Sequence, residues 1–102
     1  MWYTYLAYFF AGVFLANGIP HFINGISGRK FPTPFARPFG HAESSPLLNV
    51  IWGMVNFIIG CLLICGVGNF SCGLTLECIV FGFGFVVTAI ALAIWFGGAH
   101  KA

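Results

Sequence analysis

The sequence predicts an all-α integral membrane protein of three transmembrane helices. All six charged residues of the 102-residue chain lie at the edges of long apolar stretches. Residues 1–28, 44–76 and 78–100 contain no Asp, Glu, Lys or Arg. A charge at mid-bilayer costs about 2.5–3.5 kcal/mol on insertion scales, so an empty interior is what lipid demands. Hydrophobic residues make up 60% of the chain and charged ones 6%, against about 45–50% and about 25% in soluble domains. So few charges could not cover a water-facing surface.

A span needs about 20 apolar residues. The first is expected over about residues 2–26, with Trp2, Tyr3 and Tyr5 at the interface, where rings with a polar tip settle. Asn17-Gly18 followed by Pro20 reads as a helix stop in water. In lipid, neighbouring helices can satisfy the freed carbonyl, so the spacing predicts a helix kinked near Pro20 that continues to about Ile26. The chain lacks a basic segment ahead of the first apolar run, and this span is expected to be retained.

The second span is predicted over about residues 46–65. Ser45 can cap it, and Pro46 suits the first helical position, where its missing N–H costs nothing. Gly66-Val67-Gly68-Asn69 then turns the chain. The third span is expected over about residues 74–96, closed by Gly97-Gly98, with Trp95 at the interface. Glu77 falls in its first turn, where the positive end of the helix dipole favours an anion. Together these make one three-helix transmembrane domain over residues 1–102, with a Pro/Phe/Arg-rich loop at 27–45.

Arg29, Lys30 and Arg37 lie in that loop, and Lys101 follows the third span. The positive-inside rule makes their side cytoplasmic, placing the amino terminus outside and the carboxyl terminus inside. Arg29, Lys30 and Arg37 are then expected to meet lipid head groups. Pro32, Pro34 and Pro38 forbid a helix through the loop, although Phe31, Phe35 and Phe39 recur every four residues. Two readings stand. The phenylalanines dip into the head-group region, or the loop is a lid over a cytoplasm-facing pocket.

Polar residues inside the spans are the candidate site. Asn17, His21 and Asn24 share one helix face at i, i+4 and i+7. In the second span Asn49, Gly53, Asn56 and Gly60 make a matching stripe. A buried amide in hydrocarbon needs a partner, so these faces are expected to meet, with Gly53 and Gly60 permitting close approach. Such a stripe can be helix–helix glue, or a polar ligand site built from Asn17, His21, Asn24, Asn49 and Asn56.

Small residues offer packing seams: Gly82, Ala89, Ala93 and Gly97 on the third span, Gly12 and Ala16 on the first. Cys61, Cys65, Cys72 and Cys78 cluster around the outer turn, where they can pack as small apolar residues or, on an oxidising outer face, form a Cys65–Cys72 bridge. Their spacing is no standard metal motif, and His21, His41 and His100 do not form a haem-ligand pair in sequence. No metal or cofactor is predicted. The net charge of +2 does not argue for nucleic acid.

No nucleophile–base pair or phosphate-binding glycine loop is present. The leading reading is therefore a non-enzymatic accessory or scaffolding component of the lipid bilayer. Three helices bury little surface against each other, which favours a homo-oligomer or a membrane-protein partner. A small transporter using the Asn/His site is the second reading, and a membrane enzyme or a quinone- or haem-binding subunit is the third. Small size and topology fit a bacterial inner membrane.

Overall fold

In the computed structural model, residues 2–34, 42–68 and 75–99 are described. They form three long apolar helices: α1 (Trp2–Ile26), α2 (Pro46–Cys65) and α3 (Leu76–Ala99). Each has the length and composition to cross a bilayer. The long axis of the molecule, 43 Å, matches a bilayer of about 40–45 Å with its head-group regions. This is a multi-pass membrane protein.

The ends follow local chemistry. Pro20 lies inside α1, which runs through it without interruption. Past Ile26, Gly28 adopts φ 75°. Its N–H donates to Gly25 O (3.1 Å), and the Arg29 N–H donates to Asn24 O (2.8 Å). This paired closure needs a left-handed residue, which glycine supplies without a Cβ clash. Ser45 caps α2 as expected: its Oγ accepts from the Leu48 N–H at 3.2 Å, and Pro46 opens the helix.

The third helix differs from expectation at both ends. It starts at Leu76, because Thr75 is the cap and accepts from the Cys78 N–H at 3.2 Å. It also continues through Gly97-Gly98 to Ala99. Glycine is common in membrane helices, and two glycines do not end one where no water competes for the backbone.

The packing is lopsided. Helix α1 lies against both α2 and α3, whose backbones do not come close to each other among the described residues. Its buried positions therefore serve two interfaces. Toward α3, a Cβ on Gly12 would collide with the Phe81 carbonyl oxygen, and one on Gly84 with that of Phe9. Only two glycines allow that backbone contact. Toward α2, Gly53 faces the backbone of Gly18 and Phe22, Gly60 faces Leu15, and Gly25 faces Val50. The buried residues of α2 are Asn49, Gly53, Asn56 and Gly60, the four of the sequence stripe.

Among the described residues, Gly84 alone is fully buried on α3. Gly82 and Gly97 have open space around them, and Ala89 and Ala93 are exposed. The seam read from the sequence is thus not spent inside the molecule. The α1–α3 contact uses Gly84, on the other side of the helix.

This contrast is testable. Gly12→Ala forces backbone apart and is expected to lower unfolding stability in detergent by about 1–3 kcal/mol. Gly82→Ala, in open space, is expected to leave it unchanged. Equal effects of the two, in thermal or denaturant unfolding, would contradict this packing.

Candidate functional site

The two polar stripes meet. Asn17 Nδ2 donates to Asn56 Oδ1 at 2.9 Å, and Asn56 Nδ2 donates to Trp52 O one turn back at 2.8 Å. His21 Nδ1 lies 2.9 Å from Asn49 Oδ1. Asn24 does not cross to α2: its Nδ2 donates to Pro20 O at 2.7 Å, and its Oδ1 accepts from Arg29 Nε at 3.0 Å. The helix end rotates Asn24 toward the loop, so it anchors Arg29 instead of joining the interhelix pairs.

Asn49 is the hub. It is wholly buried. Its Nδ2 reaches Phe31 O (3.0 Å), Ser44 O (3.1 Å) and Ser45 O (3.0 Å). An atom surrounded by three carbonyls must be the amide nitrogen, whose two hydrogens are shared among them, so Oδ1 is the atom left for His21. An oxygen there requires a donor, which places a proton on His21 Nδ1. In the neutral ring Nε2 is then the acceptor.

The same amide closes the loop. Phe31 and Ser44 pair as a short antiparallel bridge, with N–H to O distances of 3.3 and 2.9 Å. Thr33 Oγ1 and Ser44 Oγ share a further hydrogen bond. Phe31, Thr33 and Ser44 are buried. Phe31 therefore does not dip into the head groups. It stands edge-on to His21 (5.3 Å between ring centroids) and 4.5 Å from the Phe96 ring. Buried aromatic contacts and a satisfied backbone hold it inward. Phe35, Phe39 and Arg37 lie outside the described residues.

This inward loop covers a cavity of about 110 Å³. Asn17 and His21 supply its polar wall, Pro32-Thr33-Pro34 one side, and Trp52, Trp95 and Phe96 the aromatic sides. Across Phe96 lies an apolar cleft of about 330 Å³ between α1 and α3, reaching from Ala16 and Pro20 to Ala89 and Ala93. Phe96 stands at both cavities, and Phe31 lines the cleft.

Of the residues named from sequence, Asn17, His21, Asn49 and Asn56 are brought together, and Asn24 stands apart beside Arg29. Lys30 is exposed at the loop. Cys61, Cys65 and Cys78 are free thiols, and Cys72 lies outside the described residues, as do His41, His100 and Lys101. No group of three metal-ligating side chains occurs among the described residues. Sequence reasoning missed Phe31, Thr33, Ser44, Trp52 and Phe96. The one available signal was Asn49 itself, an amide one turn inside a helix that starts at the end of the loop.

Compared with known protein families, with curated proteins and with solved structures, the chain matches none.

The hub has a measurable coupling. Each carbonyl that Asn49 contacts also accepts a backbone N–H, whereas His21 Nδ1 depends on Asn49. Asn49→Leu should therefore cost about 1–3 kcal/mol, mainly through the orphaned ring N–H. His21→Leu removes that orphan. A double-mutant cycle of the two is expected to give a coupling of about 1 kcal/mol. Strict additivity would show that the bond contributes nothing to stability.

Proposed function

We propose that this protein is a non-enzymatic accessory component of a cell membrane that associates with a second copy of itself or with another membrane protein through one side of α3. The observation that carries this is the unused seam. A lipid-facing helix gains nothing from small side chains, whereas a helix that receives another backbone needs them. Gly82 and Gly97 have open space around them, and Ala89 and Ala93 border the 330 Å³ apolar cleft beside α1. A long apolar side chain from a neighbouring helix fits that cleft.

The arrangement of the three helices supports the same reading. Among the helices, α3 packs its backbone against α1 and leaves most of its described surface outward. The Asn17–Asn56 and His21–Asn49 pairs then serve as the lock that lets α1 and α2 form a stable platform. Because these groups bind one another, a continuous polar path for transport is the weaker reading.

On this reading the basic side faces the cytoplasm, with Arg29 and Lys30 at the head groups and the amino terminus outside. Pro20 lacks the N–H that would reach Ala16 O, and a bend of α1 there would widen the cleft beside Ile19. A bacterial inner membrane fits the size and topology.

Native mass spectrometry in mild detergent tests the association. The native protein is expected as a dimer or larger assembly, or bound to a second membrane protein. Ala93→Leu is expected to yield the free monomer with its helix content unchanged. A native protein that stays monomeric and unaccompanied would overturn the proposal.

A further inference from the structure

The cavity above Asn17 and His21 is not needed for association through α3, and its chemistry is specific. Three carbonyls fix the Asn49 amide, and the amide fixes His21 as the Nδ1–H tautomer. The ring is 3% exposed. Its second nitrogen, Nε2, has no hydrogen-bond partner among the described residues, and the ring lines the cavity. One turn earlier, Asn17 gives an amide hydrogen to Asn56, while its Oδ1 accepts nothing among the described residues. Asn17 lines the same cavity. Two residues on successive turns, each with an open acceptor, therefore line one small space.

We propose that this cavity binds the headgroup of a hydroxyl-bearing aromatic molecule, a phenol or hydroquinone, whose O–H donates to His21 Nε2 or to Asn17 Oδ1. Two acceptors without a donor of their own call for a ligand that donates. The other walls are mostly aromatic: Trp52, Trp95 and Phe96 line them, and Pro32, Thr33 and Pro34 close the side. The volume, about 110 Å³, suits a single ring in a cleft that is open on one side, since a closed apolar cavity of about 150 Å³ holds benzene. A primary ammonium would also donate, but no carboxylate among the described residues lines the space, and a buried unpaired charge is costly. An oxidised quinone offers only acceptors, which match neither His21 Nε2 nor Asn17 Oδ1.

The assignment concerns binding alone. The hydroxyl can come from a soluble phenol or from a hydroquinone dissolved in the bilayer, and the two differ in the apolar chain they carry.

The test uses purified full-length protein in detergent. Its probes are p-cresol, a decyl-substituted hydroquinone, the corresponding quinone, decylbenzene and benzylamine. Binding is read by calorimetry and by quenching of tryptophan fluorescence. The hydroquinone or p-cresol is expected to bind, and the quinone and decylbenzene at least about 10-fold more weakly, as the loss of hydrogen bonds implies. Binding of p-cresol as tight as that of the decyl compound assigns a soluble source; preference for the decyl compound assigns a membrane source. His21→Phe is expected to weaken binding about 2–10-fold.

Because that variant can disturb the fold, ¹⁵N-histidine spectra are recorded on a His41→Gln/His100→Gln protein, in which only His21 remains. The free protein is expected to show a protonated Nδ1 and an unprotonated Nε2, and the ligand is expected to move the Nε2 resonance. Equal binding of hydroquinone and decylbenzene, tighter binding of benzylamine, binding of no probe, or a protonated Nε2 in the free neutral ring would each overturn the proposal.

Discussion

One buried amide sets the geometry of the loop-side half of the molecule. Asn49 gathers the carbonyls of Phe31, Ser44 and Ser45 with its nitrogen and holds His21 with its oxygen. In water such a side chain would be worth little, because solvent would compete for every partner. In the bilayer no solvent competes, and an unpaired amide would cost several kcal/mol. The consequence is reach: a single residue ties the start of α2 to the C-terminal part of α1 and to both ends of the loop. Loop placement, histidine tautomer and cavity roof follow from the same few bonds.

The second constraint is steric. A helix that touches two others must be thin on two sides. Helix α1 meets this with Gly12 toward α3 and with Gly18 and Gly25 toward α2. Backbone contact at Gly12 and Gly84 brings α1 and α3 together at one crossing, and beyond it lies the apolar cleft. The α1–α2 contact is held over its whole length, by glycine fits and two polar pairs. The molecule thus has one closely fitted interface and one crossing flanked by open space. This asymmetry is what leaves room for a partner on α3.

Much of this was legible in the residues. The spans follow from the distribution of charge, and the start of α2 from Ser45 and Pro46. The buried stripe of α2 follows from the spacing of Asn49, Gly53, Asn56 and Gly60, because amides and glycines have few other uses in the middle of a membrane helix. What was not legible depends on contacts distant in sequence. Asn24 has the right spacing for the stripe, but the helix closure at Gly28 brings Arg29 to it instead. Phe31 carries no mark that separates a lipid anchor from a core residue; its position is decided by Ser44, His21 and Phe96. The α3 seam could be read as small residues, but not as facing outward, since helix pairing is not written in the pattern of one helix.

The most direct measurement is amide hydrogen exchange on the loop. In the native protein the Phe31 and Ser44 amides are expected to exchange slowly, because the bridge and the Asn49 side chain hold them. In Asn49→Leu both are expected to speed up markedly, while amides around Gly12 and Gly84 keep their protection. Fast exchange at Phe31 and Ser44 in the native protein would show a loop lying free at the membrane surface, with Asn49 no longer the residue that holds it.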